Sequence, residues 1–422
     1  MTIIIFLSIF PIFIWSLMSP LGSRFSDINT ITTSLGQISG LVGMVLFSVN
    51  IILAGRFKFL DKYFKGLDKV YVNHSKIGSI AFSLMLFHPL FLVIKYLIVS
   101  TREAALFFVP FINMPISWGI LSLLIMIILI SLTFYIKIKY NVWKISHKFM
   151  TLAFLFAILH TMLISSDVSR NNILRYYILI LALFALFVIL RKFLMEKFSI
   201  NRFKYNIKNV KQLNKDILEI EMEPFGQMMT YLSGQFAFFS FLSSGVSSES
   251  HPFSISSSDV DTNLKITVKN LGDYTGTLIN LKQGDNVIVD GPYGNFSYKN
   301  VTNKNQIWIA GGIGITPFYS MAQVLNEEYY IDFYYCVKEE GEAVYVKELQ
   351  DIALKNPNFK FNLWSTKDKG FINGEIMSTE SGGLADKDIF FCGPPILMNS
   401  LKEQFISLGI NINKIHYENF NF

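Results

Sequence analysis

Six apolar segments, each long enough to cross a lipid bilayer, occupy the first 195 of 422 residues. They constrain this half of the chain more than any other feature. A bilayer core takes about 20 consecutive apolar residues in a helix. In lipid, only structures that satisfy their backbone hydrogen bonds internally persist. The segments run over residues 3–20, 31–55, 73–99, 116–136, 146–165 and 173–195, so a six-span helical bundle is predicted. The first has neither a basic flank nor a small-residue cleavage site, and is read as a retained span rather than a signal peptide. Basic residues concentrate in alternate loops: Arg56, Lys58, Lys62, Lys65 and Lys69; then Lys137, Lys139 and Lys144; then Arg191, Lys192 and Lys197. The other loops hold only Arg24, Arg102 and Arg170. Positive charge marks the inner side, so the expectation is an integral protein of the plasma membrane with both termini in the cytoplasm.

Four of the six histidines lie inside these spans: His74 and His88 in the third, His147 and His160 in the fifth. An ionisable side chain in lipid is costly unless paired or liganded, and marks function by default. Both spans run from inside to outside, so His74 faces His147 near the cytoplasm and His88 faces His160 toward the outer side. At 1.5 Å per residue the two levels are about 20 Å apart. Neutral imidazole is a common axial ligand of haem iron, so the pairs predict a ladder of two haems. Fourteen residues return a side chain to within about 40° of one helix face, but 13 leave it about 140° away. The fifth span therefore needs a local π or 3₁₀ adjustment, or a haem presenting a different edge. In the third, Pro89 can kink the helix. Four unrelated histidines, each satisfied by neighbours, is the other reading. Gln37 and Asn50 in the second span are read as helix–helix hydrogen bonds.

The rest of the chain has ordinary globular composition, although the whole is 51% apolar and only 16% charged. The net charge of +6 sits beside the spans rather than on one soluble face, which argues against a nucleic-acid partner. Two cysteines, Cys336 and Cys392, make neither a disulfide framework nor a zinc quartet. Three domains are expected: 1–198 in the membrane, 199–302 and 303–422. Residues 203–299 read as six short strands of a small antiparallel β-barrel. Beyond 305, strand-like runs alternate with helical stretches, the pattern of a doubly wound parallel α/β sheet. Ligands of such sheets bind beyond the carboxyl ends of the strands. There, Gly311, Gly312, Gly314, Thr316 and Pro317 join a strand to a helix, where glycines admit phosphate close to the backbone. His251-Pro252-Phe253-Ser254, the turn from Lys269 to Thr275, and Gly291-Pro292-Tyr293-Gly294 punctuate the strands before it.

Taken together, the four histidines, HPFS, NLGDYT, DGPYGNF, AGGIGITPF and FCGPP resemble the NADPH oxidase and ferric reductase superfamily over almost the whole chain. The chain looks like a compact prokaryotic member with no calcium-binding or regulatory extension. The resemblance implies bis-histidine ligation of two b-type haems by His74, His88, His147 and His160. It implies FAD contacts from His251, Pro252, Phe253 and Ser254, and an FAD pyrophosphate grip from Lys269, Gly272, Asp273, Tyr274 and Thr275. For the nicotinamide nucleotide it implies Gly311, Gly312, Gly314, Thr316 and Pro317, with Lys338 at a 2′-phosphate. Cys392, Gly393 and Pro394 belong beside the nicotinamide, and Phe420 or Phe422 over the flavin ring. Phe420, Cys392 and Thr316 are the expected catalytic positions.

The implied function carries electrons from cytosolic NADPH or NADH through FAD and haem to an external acceptor. Oxygen, giving superoxide, is the first expectation, and a ferric chelate the alternative. No obligatory protein partner is evident, and activity without a switch is expected. Two departures stand out. Glu339, Glu340 and Glu342 surround Lys338, and acidic side chains favour a ribose with a free hydroxyl. The second span also holds no arginine, where some animal oxidases place one between haems. A haem-free, membrane-anchored flavin reductase is a further alternative. A transporter is disfavoured, since the spans show neither acidic relays nor paired broken helices.

Overall fold

The computed structural model describes residues 1–136, 140–198 and 202–418, with side chains for all of these except 140–141 and 195–198. Lys137 and Lys139 lie outside the described residues, as do Phe420 and Phe422. The chain forms two compact units. One comprises Met1–Phe57 with Val70–Phe198; the other comprises Lys58–Lys69 with Ser199–Phe422.

The first unit is helical. Its main helices are α1 (Thr2–Leu17), α2 (Ile28–Leu53), α3 (Leu67–Val99), α4 (Met114–Phe134), α5 (Tyr140–Lys148), α6 (Met150–Leu163) and α7 (Asn172–Phe198). Among the described residues, five helical stretches are long and apolar enough to cross a membrane, with α5 and α6 together forming one of them. The sixth expected span is α1, which is apolar but only 16 residues long and contains Pro11. Helix α2 starts where Asp27 accepts the backbone N–H groups of Asn29 and Thr30, capping donors that the first turn leaves free. Helix α3 runs unbroken through Pro89 and begins at Leu67, so His74 lies in its second turn rather than at its start. The core of the unit gathers Trp15, Met44, Phe47, Met126, Phe154 and Leu174.

In the second unit, strands β1 (Phe203–Asn214), β2 (Ile217–Pro224), β3 (Phe236–Leu242), β4 (His251–Ser254), β5 (Leu264–Lys269) and β6 (Asn286–Tyr293) form one antiparallel sheet, ordered β4-β3-β6-β1-β2-β5. Alternate residues of these strands bury a core of Tyr205, Ile207, Ile220, Phe239, Phe241, Ile266 and Val289. The expected closed barrel is not formed by a continuous ladder. The two edge strands meet at a single bridge, Ile255 to Ile266. Strand β4, only four residues long and followed by further bends, cannot supply more.

Strands β7 (Asn305–Gly311), β8 (Tyr330–Val337), β9 (Phe359–Ser365), β10 (Asp388–Cys392) and β11 (Ile415–Glu418) make an all-parallel sheet, ordered β11-β10-β7-β8-β9. Both faces are covered. Trp308, Phe333 and Tyr335 point into one core, and Ile307, Ile309 and Tyr334 into the other. That explains strands reading as continuous apolar runs rather than alternating ones. Helices α8 (Asp273–Thr277), α9 (Ile315–Ala322), α10 (Val346–Lys355) and α11 (Pro395–Ser407) complete the set used below.

Candidate functional site

Two pairs of imidazoles face one another inside the helical unit. The ring centres of His74 and His147 are 6.3 Å apart, with their planes crossed at 71°. Those of His88 and His160 are 6.1 Å apart, crossed at 72°. An imidazole nitrogen binds a transition metal at about 2.0–2.1 Å, so two imidazoles on opposite sides of one metal hold their ring centres about 6 Å apart. Both pairs fit that span.

The protonation of three rings is fixed by their neighbours. His74 Nδ1 lies 2.9 Å from the Asn50 carbonyl, His88 Nδ1 2.7 Å from that of Gly36, and His160 Nδ1 2.8 Å from that of Pro115. A carbonyl only accepts, so each Nδ1 carries the proton and each Nε2 keeps a lone pair for a metal. His147 differs. Its ring stacks on Trp143 at 5.3 Å, and its buried Nδ1 has no hydrogen-bond partner.

The outer pair shows one local device twice. The carbonyl of Gly36 serves His88, and four residues on, Gly40 has no Cβ; one there would lie 2.7 Å from His88 Nδ1. The carbonyl of Pro115 serves His160, and four residues on, a Cβ on Gly119 would lie 2.9 Å from His160 Nδ1. Each glycine clears the turn that an imidazole must enter to reach the carbonyl. None of these second-tier residues was singled out from the sequence. Asn50 was noted for its side chain, yet its backbone oxygen does the holding. Gln37 accepts from Trp15 Nε1 at 3.1 Å and from Arg24 at 3.2 Å.

The 13-residue spacing contains a break. Helices α5 and α6 are separated at Phe149, where 3₁₀-type bonds run from Phe149 N to Ser146 O (3.0 Å) and from Leu152 N to Phe149 O (2.9 Å). Tighter winding turns each residue further about the axis than an α-helix does. This winding is of the 3₁₀ kind that the spacing called for, and at about 20° gained per residue it recovers part of the offset.

In the second unit, HPFS and the turn after β5 come together. The rings of His251 and Tyr274 stack at 3.6 Å, and Tyr274 OH donates to the Glu249 carbonyl at 3.4 Å. Burial pushes the Tyr274 phenol up, so it stays a donor. Thr275 Oγ1 accepts the N–H groups of Leu271 and Gly272 (3.0 and 3.1 Å), shaping the turn. Phe253 packs on Phe239 in the sheet core, Ser254 is buried, and Pro252 pairs with Phe238. Asp273 is exposed at the start of α8, and Lys269 reaches Glu342 at 3.8 Å.

The glycine loop and the Cys-Gly-Pro segment are packed backbone against backbone, beyond the carboxyl ends of β7 and β10. A Cβ on Gly314 would collide with the Cys392 carbonyl, and one on Gly311 would lie 2.8 Å from Pro394. Gly393 backs onto Gly311 in the same way. Gly312 has φ +54°, a left-handed conformation that favours glycine. Thr316 and Pro317 are buried in the first turn of α9. Burial raises the Cys392 thiol well above its usual range and that of Cys336 to about 12, so neither is a thiolate near neutral pH. Lys338 is exposed just after β8, and the neighbouring Glu339 binds Lys367 at 3.0 Å.

A membrane helical unit followed by an antiparallel sheet and a parallel nucleotide-type sheet defines the class of membrane-bound flavin and nicotinamide-nucleotide oxidoreductases. Comparison with known proteins is consistent with that. Residues 39–158 match the ferric reductase-like transmembrane component, 202–297 an FAD-binding domain, and 308–403 the oxidoreductase NAD-binding domain. The chain thus carries the ferric reductase and NADPH oxidase-like architecture, with a reductase module of ferredoxin-NADP reductase type. It is similar to flavohemoprotein B of Dictyostelium discoideum, 29% identical over 188 residues, covering 40% of this chain and 44% of that protein. It is also similar to a component of the Na(+)-translocating NADH-quinone reductase of Methylococcus capsulatus, 27% identical over 165 residues, covering 35% and 40%. The chain therefore spans less than half the length of either relative. Among solved structures, a flavohemoglobin from Malassezia yamatoensis has a like fold, with a TM-score of 0.51 at 20% identity, covering 72% of this chain and 86% of that one.

Proposed function

We propose that this protein moves electrons from NAD(P)H through FAD to two haems, one held by His74 and His147 and one by His88 and His160, and on to an acceptor across the membrane. The observation that carries the reading is the pair of imidazole gaps, 6.3 and 6.1 Å, each matching one metal between two rings. Bound flavin would supply the conversion of a hydride into single electrons. The chain's part is to hold and orient. His251, Phe253, Ser254 and the Gly272–Thr275 turn would grip FAD. The Gly311–Pro317 loop and Cys392-Gly393-Pro394 would seat the nucleotide. Glycines packed without Cβ atoms leave backbone N–H groups open to phosphate.

His74 with His147, and His88 with His160, would each hold a haem through both imidazoles and would leave no position there for an external acceptor to bind. An external acceptor would then receive electrons at the haem edge, and oxygen would leave as superoxide. Basic loops support cytoplasmic termini and a plasma-membrane setting.

The test is a His74→Ala variant of the full chain. NAD(P)H should still bleach its flavin, while transfer to an external acceptor falls to background. An unchanged transmembrane rate would contradict the reading, and a wild-type protein that shows flavin yellow without a haem Soret band would end it. Superoxide-dismutase-sensitive dye reduction, set against ferrous-chelate formation on the same preparation, assigns the acceptor to oxygen or to ferric iron.

A further inference from the structure

Three of the four membrane histidines share one arrangement. Nδ1–H donates to a backbone carbonyl, at 2.9 Å for His74, 2.7 Å for His88 and 2.8 Å for His160. His147 breaks the pattern. Its Nδ1 is buried and has no hydrogen-bond partner among the described residues. Trp143, one turn earlier in α5, orients it instead. The indole stacks on the imidazole with ring centres 5.3 Å apart and planes 26° from parallel. The indole is itself fixed. Its Nε1 donates to Thr133 Oγ1 at 3.1 Å, and that hydroxyl donates to the Leu129 carbonyl of α4 at 2.9 Å. Stacking holds the ring as squarely as a hydrogen bond does: the His74 and His147 planes cross at 71°, those of His88 and His160 at 72°. The two levels are alike in geometry and differ in chemistry.

The difference has a sign. An Nδ1–H that donates to a carbonyl makes its imidazole a more basic ligand. A more basic ligand favours ferric over ferrous iron, since the ferric ion carries the extra positive charge. The outer pair has two such rings and the inner pair one. Lys192 works in the same direction, because its positive charge acts on both His74 and His147 and like charge disfavours the ferric state. An outer-shell hydrogen bond is worth about tenfold or more in metal affinity. Where that factor falls on the ferric state alone, it is about 59 mV for one electron.

We propose that Trp143 is a positioning residue that stands in for the missing carbonyl at His147, leaving its Nδ1–H unpaired and making the His74 and His147 level the more readily reduced of the two. This rests on the haem reading above. A single electron from the flavin then stays at the inner level in about nine chains of ten, away from the external acceptor. Its passage outward oxidises the inner level, reduces the outer one and moves no proton.

The test is an anaerobic redox titration of the full chain, followed in the visible haem bands. The wild type should show two one-electron steps about 59 mV or more apart. The upper step should be the one missing in His147→Ala and kept in His160→Ala. Trp143→Gln places an amide oxygen one turn from His147, within reach of its Nδ1–H. The upper step should then fall toward the lower, which stays where it was. Trp143→Phe, which keeps a ring to stack on, should hold both steps in place. A second readout does not depend on the amide variant folding. The low-spin ferric EPR signal follows the angle between the two imidazole planes, so in Trp143→Leu one of the two signals should change and the other stay. An upper step that vanishes in His160→Ala and survives in His147→Ala, or wild-type steps and signals in both Trp143→Gln and Trp143→Leu, overturns the inference. A wild-type protein with no haem band, or with a flavin that NADH does not bleach, overturns the function beneath it instead.

Discussion

At the scale of single residues, the four membrane histidines depend on groups that have no side chain. Three imidazoles are held by backbone carbonyls, and in the outer pair a glycine four residues on makes the approach sterically open. Gly40→Ala would put a methyl group 2.7 Å from His88 Nδ1 and 2.8 Å from its Cε1. Helix backbone on one side and a ring on the other leave it little room, and overpacking of this kind costs about 1–3 kcal/mol. The expected outcome in Gly40→Ala, and likewise in Gly119→Ala, is loss of the outer haem with the inner one retained. Haem content per chain, measured as the pyridine haemochrome, should fall by half. Gly22→Ala, with open space around its Cβ, should leave it unchanged. The histidines were legible in the sequence because an ionisable side chain in an apolar span is exceptional. Their partners were not, because every residue has a carbonyl and only the small residue beside it leaves a trace.

At the scale of elements, periodicity located the strands and helices but missed their local departures. The mismatch of 13 and 14 residues called for an irregularity without saying where, and Phe149 carries it between α5 and α6. All six strands of the antiparallel sheet were legible from alternation. Closure was not, because it depends on how far two edge strands run together, and here they share one bridge. The turn after β8 carries its own consequence. It stands about 20 residues beyond the glycine loop, where a nucleotide's ribose is read in sheets of this kind. Glu339, Glu340 and Glu342 crowd it, and Glu339 already binds Lys367. A 2′-phosphate would meet carboxylates there, whereas a ribose hydroxyl would find an acceptor. NADH should therefore be preferred over NADPH, by kcat/KM for flavin bleaching, on the order of tenfold, or about 1.4 kcal/mol. The double variant Glu339→Ser, Glu340→Arg should reverse the order. Equal constants for both nucleotides in the wild type would remove the acidic turn from any part in selection.

At the scale of the whole molecule, composition separated a membrane half from a water-exposed half, yet missed one exchange between them. Residues 58–69, read as a basic loop between spans, pack with the flavin and nucleotide sheets. A loop recruited by tertiary contacts looks like any other solvated loop until those contacts are known. The proposed order of electron flow follows from chain direction and loop charge. Helix α3 and the pair α5–α6 both follow basic loops, so in the proposed orientation the His74 and His147 level would come first on the electrons' path and the His88 and His160 level second. Under that proposal, electrons from NADH would fill the levels in sequence, the outer level receiving them only through the inner one. Removing a ligand from one level should have unequal effects. In His160→Ala, anaerobic NADH should still reduce the remaining inner haem while the external acceptor goes unreduced. In His147→Ala, NADH should bleach the flavin, yet leave the outer haem oxidised over the same interval, since single-electron transfer must then cross both levels in one step. Stopped-flow spectra of the two variants distinguish these outcomes. If the outer haem in His147→Ala fills as fast as in the wild type, the levels do not act in series, and the ladder is two separate acceptors.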